Sequence, residues 1–431
     1  MTLLTIHRGT KEIGGSCVEL RHGDHRLILD LGLPLVDESG DDFQLPLDAN
    51  AEGLLADGVL PAIPSLLDGD DAGKTAIVIT HAHQDHHGLL RFVHPDLPVY
   101  MTWGTAALLR TSLPFIRDAH LPKNISTITP WEKVPVGSFT VTPYLVDHSA
   151  PDAVALLVEV NGKSLFYTGD FRATGRKAKV YDNLLKRPPK DIDLLLMEGT
   201  MFGREGEAPV TEDDLEQSLA EMLAEAESLT VLFASGQNLD RLVTAFRAAK
   251  RTGKTLVIDL YQAWVLRHLR GLSSSIPQAD WDKIRVYFAK WHADSLGKAG
   301  REGFVYGQTK NRIQIEEIAA NPSDFLFMAR SNNLIWRILD KLPDQHPPHL
   351  IWSLWAGYLD KPSPFNDELK RRELPLTHLH TSGHATVADL KRLAEALQPK
   401  RIVPIHTFHP DKFSTVFNNV SLAKDGVAFE L

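Results

Sequence analysis

A chain of 431 residues, 43% hydrophobic and 23% charged, is too long for one ordinary core and is expected to fold into two substantial lobes, which excludes wholesale disorder. No run of about 18 apolar residues occurs, so no membrane span is expected. The 46 Lys and Arg against 55 Asp and Glu give a net charge of −9, which argues against a protein that coats itself with nucleic acid but leaves room for a local basic channel or for metal ions as the cations.

The opening MTLLTIHRGTKEIGG lacks the apolar region and cleavage site of a secretory signal, and the expected location is the cytoplasm. SCVELR (16–21) and HRLILDLG (25–32) flank His22-Gly23-Asp24 and predict a hairpin. Cys17, the one cysteine, reads as a small core filler there; it excludes an internal disulfide or a multi-thiolate zinc site, so any metal must sit among nitrogen and oxygen ligands. Residues 33–74, acidic and spaced by Pro and Gly, read as a long surface loop with a short helix. AIVIT (76–80) is a short strand that delivers a histidine cluster at its end. AVALLVEV and SLFYTGD around Asn161-Gly162-Lys163 predict a second hairpin.

From about 205 the rhythm changes. Thr211 with Asp214 forms a capping-box pattern, and Leu215, Leu219, Met222 and Leu223 recur at helical spacing. Apolar runs at 230–234, 255–260, 284–289, 324–329 and 349–354 alternate with helical patterns, which predicts a doubly wound parallel sheet. After 376 come a histidine-rich turn, the helix VADLKRLAEAL and the strand RIVPIH ending in His406.

The dominant chemical feature is THAHQDHHG at 80–88. His81, His83, Asp85 and His86 crowd four ligand types into six positions. No helix puts that spacing on one narrow face, but an irregular turn can wrap it around a small metal cluster, and imidazole with carboxylate suits Zn²⁺ or Mn²⁺. A polar loop with its histidines in solvent is the weaker alternative.

HxHxDHxG resembles the metal motif of the metallo-β-lactamase fold, and further motifs follow in order: LILDLG with Asp30, LVDHS with His148, and YTGDFR with Asp170. The resemblance implies an αββα sandwich in which His81, His83 and His148 hold one divalent ion, Asp85, His86 and His406 the other, Asp170 bridges, and Asp30 supports the site from behind. The α/β insertion resembles the β-CASP branch, whose members process nucleic acids. Glu198 in LLLMEGT, Asp259 ending LVIDL, His384 in HTSGHA and His406 in IVPIH match its markers, with Glu198 and Asp259 as supporting acids. HTSGHA and KEIGGSC look most like the ribonuclease J subgroup. The domains implied are 1–204 and 376–431, forming the metallo-β-lactamase part, and 205–375, the insertion.

There are departures. His406 continues as Thr407-Phe408 where the subgroup has Gly-Glu, and ARSNN (329–333) and WSLWAGYLDK (352–361) stand in place of glycine- and serine-rich loops. The C-terminal domain usual in ribonuclease J is not expected here.

The implied activity is phosphodiester hydrolysis of RNA, exo or endo, by a hydroxide shared between two metals that also polarise a phosphoryl oxygen. Asp85 and Asp170 then compensate charge and orient the nucleophile. His384 contacts the scissile phosphate or protonates the leaving oxygen, with a structural role as the alternative. Backbone N–H groups of Ser382 and Gly383, before a helix near Val387, are candidates for a substrate phosphate, and His380 for the cleft. Zinc is the default metal and manganese its competitor. RNA is expected between the lobes, with no membrane partner; a homodimer is compatible with the sequence. A DNA nuclease of the same branch and a non-catalytic RNA-binding subunit remain alternative readings, with a β-lactam or thioester hydrolase the least favoured.

Other residues read as structural or solvated: His87, His94, His120, His346, His349 and His409, and the cations Arg330, Arg337 and Lys370-Arg371-Arg372. Trp352 and Trp355 alternate with apolar neighbours and read as core, with base stacking at a cleft rim as the other use. Asp30, Asp85, Asp170, Glu198 and Asp259, with Asp70 and Asp71 in the loop, make up part of the acidity, and metals would neutralise at least two of them. The charge thus confines RNA to a cleft rather than excluding it.

Overall fold

The computed structural model describes residues 1–37, 40–69, 73–116, 120–204, 210–342 and 347–431; Asp70, Asp71 and His346 lie outside the described residues. In chain order the strands are β1 (Thr2–Arg8), β2 (Cys17–His22), β3 (His25–Leu29), β4 (Thr75–Val78), β5 (Val99–Thr102), β6 (Ile125–Ile128), β7 (Val134–Val136), β8 (Phe139–Leu145), β9 (Val154–Val160), β10 (Lys163–Tyr167) and β11 (Leu194–Glu198). The inserted region adds β12 (Thr230–Phe233), β13 (Thr255–Asp259), β14 (Ile284–Tyr287), β15 (Arg312–Ile313), β16 (Phe325–Ala329), β17 (His349–Trp352) and β18 (Leu376–His378). The chain then returns with β19 (Arg401–Ile405) and β20 (Phe429–Glu430).

Two sheets, ordered β20-β1-β2-β3-β4-β5-β6 and β19-β11-β10-β9-β8-β7, pack face to face. Strand periodicity explains how. In β9, Val154, Leu156, Val158 and Val160 point into the core between the sheets with Leu4, Ile6, Val18 and Leu27, while Ala155 and Leu157 point outward against Tyr181, Leu184, Leu390 and Leu393 of helices Ala178–Lys186 and Val387–Leu397. A strand buried on both faces reads as a continuous apolar run, as AVALLVEV does. On the far side, helix Trp103–Ser112 buries Ala106 to Leu109 over the first sheet. The result is the expected αββα sandwich. Both hairpins form, β2 with β3 and β9 with β10, antiparallel.

The insertion is a sheet ordered β15-β14-β13-β16-β12-β17-β18, parallel throughout. Helices cover both of its faces: Leu219, Leu242 and Ala249 on one, Ile335, Trp336 and Phe365 on the other. Helix Glu212–Glu225 starts with the anticipated Thr211–Asp214 capping box. β18 pairs with β17 in this sheet, so the sheet runs to His378, three positions past the expected edge at 375. Within 33–74 the expected short helix forms at Ala51–Ala56, but the described residues depart from a purely surface loop: Leu54, Leu60, Ile63 and Leu66 are buried in the core that continues into the insertion. Four apolar side chains spread over thirteen residues show no period, so sequence pattern passes over them. Among the described residues, no helix is long and apolar enough to cross a membrane.

Candidate metal centre

The motif residues converge because six strands, β3, β4, β8, β10, β11 and β19, end at one place. β3 ends in Leu29, and Asp30 follows with a left-handed backbone (φ 58°), which turns its carboxylate into the interior. That carboxylate is fully buried. It accepts hydrogen bonds from the Thr80 N–H (2.8 Å), the Thr80 hydroxyl (2.8 Å), the Tyr167 hydroxyl (2.8 Å) and His86 Nδ1 (2.8 Å). A carboxylate only accepts, so His86 must carry its proton on Nδ1, leaving Nε2 bare towards the centre. The Thr80 hydroxyl, having donated to Asp30, accepts from His81 Nδ1 at 3.0 Å, and His81 Nε2 is likewise left bare. His148 is fixed by Nδ1 donating to the Gly383 carbonyl at 2.6 Å, so its bare Nε2 faces His83 Nδ1 at 3.0 Å.

Two sets result. Ligand atoms of His81, His83 and His148 lie within 4.8 Å of one another, and so do those of Asp85, His86, Asp170 and His406. Asp170 stands between them, its Oδ2 3.8 Å from His81 Nε2 and 3.2 Å from His86 Nε2, while Asp85 Oδ2 is 3.2 Å from His406 Nε2. His406 leaves β19 with φ 54° and shares its Nδ1 with the Thr200 hydroxyl at 3.0 Å. Glu198 and His384 complete a third overlapping group with Asp170 and His406. Glu198 accepts the N–H groups of Phe171 (3.2 Å), Thr200 (3.3 Å) and Ala385 (3.3 Å), and lies 3.2 Å from His384 Nδ1.

The centre fits a divalent cation. His81 Nε2, His86 Nε2 and Asp170 Oδ1 are buried without a hydrogen-bond partner, which is costly for groups in low dielectric. Burial, with the neighbouring imidazoles, pushes His81 and His148 well below the ordinary histidine range, and burial lowers His83 too; neutral imidazole is the form that binds metal. Burial would raise Asp170, but His406, His86 and His384 hold it well below the carboxylate range, and Asp85 is held low by His86 and His406 in the same way. His86 goes the other way: burial disfavours its charge, yet Asp170, Asp30 and Asp85 raise it well above the ordinary value. A proton there does for three carboxylates what a metal ion would do, so the two compete for Nε2.

The remaining candidates are placed differently. Asp259 stands apart from the centre: its Oδ1 accepts the Gln262 N–H at 2.8 Å as a helix cap, and its Oδ2 is 3.7 Å from His292. His380 also lies outside the cluster, its Nδ1 3.2 Å from the Ser353 carbonyl. Burial and the Arg241 guanidinium push it down to about 3. Ser382 serves the fold: its hydroxyl accepts the His384 N–H at 3.1 Å and its carbonyl accepts from Arg172 at 3.2 Å. The helix after it is capped by the Thr386 side chain, which accepts the Asp389 N–H. Gly383 acts through its carbonyl on His148.

Sequence reasoning missed Thr80, Tyr167 and Thr200, which orient the ligands, and a buried charge network joining the lobes. Arg172, two residues past Asp170, reaches Asp240 at 2.6 Å and Asp147 and Glu212 at 3.7 Å. Glu212 in turn pairs with Arg241 at 3.1 Å. Only the FR after TGD hinted at it. Cys17 is buried, as expected, and Arg371 and Arg372 are held by Glu368.

Residues 47–232 match the model of the β-lactamase superfamily domain, and residues 373–411 that of the Zn-dependent metallo-hydrolase RNA specificity domain. The chain is 24% identical to the ribonuclease J of Mycobacterium tuberculosis, over 94% of this chain and 68% of that one. It is 24% identical to the ribonuclease J of Thermus thermophilus, over 92% and 67%. A solved structure of a protein of unknown function from Enterococcus faecalis V583 shares the fold, with TM-score 0.79, 23% identity and 100% of both chains covered. Fold, centre and matches together define a metal-dependent hydrolase of the metallo-β-lactamase fold. Within that class the chain is of the β-CASP type, with the relatives named ribonuclease J as its counterparts over most of its length.

Proposed function

We propose that the chain is a metal-dependent ribonuclease that hydrolyses RNA phosphodiester bonds in a cleft between its two lobes, with two divalent ions, zinc by preference and manganese as the competitor. The observation that carries this is the convergence of bare, buried imidazole nitrogens and carboxylates from separate segments onto two adjoining sets that meet at Asp170. His81, His83 and His148 would hold one ion, Asp85, His86 and His406 the other, with Asp170 between them. When bound, such ions lower the pKa of a water and neutralise charge on a phosphoryl group.

The protein's own groups do the rest. Asp30 and the Gly383 carbonyl fix which nitrogen of His86 and His148 is bare. Glu198 holds three backbone N–H groups and orients His384, whose side chain is 21% exposed, the open edge of an otherwise buried cluster. In the metal-free protein burial would lower His384, but Glu198 and Asp170 raise it to about 9; the hydrogen bond to Glu198 would hold its ring as the candidate proton donor to the leaving oxygen. Every proposed ligand comes from one chain, so a homodimer would not be needed to complete the centre. Cytoplasmic action agrees with one buried cysteine.

The test is digestion of 5′-labelled RNA and matched DNA by protein loaded with Zn²⁺ or Mn²⁺, with metal content measured in parallel. RNA cleavage lost with EDTA, with His81→Ala and with Asp85→Ala is expected. Cleavage that persists in both variants overturns the site, and metal-loaded protein that cleaves DNA alone overturns the RNA reading.

A further inference from the structure

β17 delivers the chain to the carboxyl edge of the inserted sheet, the edge where parallel sheets bind ligands, and the loop there is WSLWAGYLDK. Its two tryptophans part company. Trp352 is 1% exposed, packed against Phe233 and Phe365, and its Nε1 donates to the Trp355 carbonyl at 3.1 Å. Trp355 is 39% and Tyr358 47% exposed, their rings edge to face with centroids 5.4 Å apart. The loop is pinned from Tyr358 onward: Asn366, 3% exposed, donates from Nδ2 to the carbonyls of Tyr358 (2.8 Å), Leu359 (3.3 Å) and Lys361 (2.7 Å). Lys361 also pairs with Asp42 of the 33–74 segment.

Cations lie against both rings, Arg204 at 4.8 Å from the Trp355 centroid and Lys361 at 5.9 Å from that of Tyr358. Arg204 links the pair to the metal centre along the chain. The Arg204 N–H bonds to the Met201 carbonyl, next in chain to Thr200, whose hydroxyl holds His406.

Burying such aromatic side chains would stabilise the fold, yet a pinned loop holds them out beside cations at the carboxyl edge of the inserted sheet. We infer that Trp355 and Tyr358 form a platform on which a base of single-stranded RNA stacks, with Arg204 beside its phosphate. This rests on the ribonuclease reading and deepens it: stacking accepts any base, so the loop supplies affinity and register without reading sequence. It also gives the replacement of a small-residue loop by an aromatic one a purpose.

The test is binding of fluorescein-labelled single-stranded RNA, intact or with one abasic position at a time, to metal-stripped full-length protein, alongside KM and kcat of the metal-loaded enzyme. Wild type, Trp355→Ala, Trp355→Phe and Tyr358→Ala are compared. Trp355→Ala should bind intact RNA about tenfold more weakly, within the range of one lost stacking contact, and raise KM with kcat kept within about twofold. Trp355→Phe should stay within about threefold. Wild type should discriminate against one abasic position by about tenfold, and Trp355→Ala should not. Equal binding by wild type and Trp355→Ala, or abasic discrimination that survives in Trp355→Ala, overturns the platform. A wild type that cleaves no RNA with either metal overturns the ribonuclease reading instead.

Discussion

His148 Nδ1 and the Gly383 carbonyl oxygen meet at 2.6 Å across 235 positions of sequence, and that bond decides which nitrogen of His148 is free. A side chain at 383 would put its Cβ 3.3 Å from His148 Cε1, tighter than a ring at rest accepts. Gly383→Ala should therefore weaken metal binding by about tenfold, the usual cost of disturbing a ligand's orienting partner, with little change in unfolding midpoint. Competition against a chromogenic chelator measures it; unchanged affinity would show that the ring is held by other means.

Asp30 organises four donors at once. Asp30→Ala strands the Thr80 N–H and hydroxyl, the Tyr167 hydroxyl and His86 Nδ1 in a fully buried site. At about 1–3 kcal/mol for each unsatisfied group, a loss of at least about 3 kcal/mol in urea unfolding is expected. The loss should be present in metal-stripped protein and larger in metal-loaded protein, where a His86 without its orienting partner also gives up part of the stabilisation that the metal supplies.

Arg172 links the turn after Asp170 to the insertion through Asp240, and burial pushes Asp147 beside it up to about 6 against the pull of the same guanidinium. Replacing it by methionine leaves buried carboxylates without their cation, at about 3–5 kcal/mol. The double variant Arg172→Met, Asp240→Asn should recover part of that loss. Unfolding curves of the two single variants and the double variant complete the cycle, and strict additivity would mean that the pair is not coupled.

His380 predicts a pH dependence. Its folded-state pKa, about 3, lies below the ordinary value of about 6.5, so the folded protein keeps it neutral while the unfolded chain takes up a proton. The stability it contributes is complete above about pH 6.5 and is lost as pH falls towards 3. Between pH 6.5 and 5 the loss is on the order of 1–2 kcal/mol, reduced where solvent reaches the ring. His380→Gln should flatten that part of the stability profile; an unchanged slope would place the sensitivity elsewhere.

How far the sequence revealed this depends on how local each signal is. THAHQDHHG was legible because its ligands fall within six positions after a short strand, and the parallel insertion because its apolar runs alternate with helical ones. Asp259 was harder, since an acid at the end of a strand looks the same whether it supports a metal or caps the next helix. The Arg172 network was illegible because Asp240 and Glu212 lie 68 and 40 positions away and are ordinary acids in their own surroundings. Trp352 and Trp355 have the same local composition, and what separates them is place: Trp352 closes β17 against Phe233 and Phe365, while Trp355 lies in the loop beyond the strand. The leucines of 33–74 escape because burial without period leaves no pattern.

His406 enters from β19, which docks beside β11 only after the whole insertion has been traversed. A ribosome that has not yet reached residue 383 has made a chain carrying the HxHxDH turn, His148 and Asp170 without the last imidazole or the Gly383 carbonyl that steadies His148. Such a chain is still tethered to the messenger it is being read from. The order of the sequence therefore leaves the proposed centre incomplete until the insertion has been made, so its last imidazole joins a site whose other groups are already in the chain.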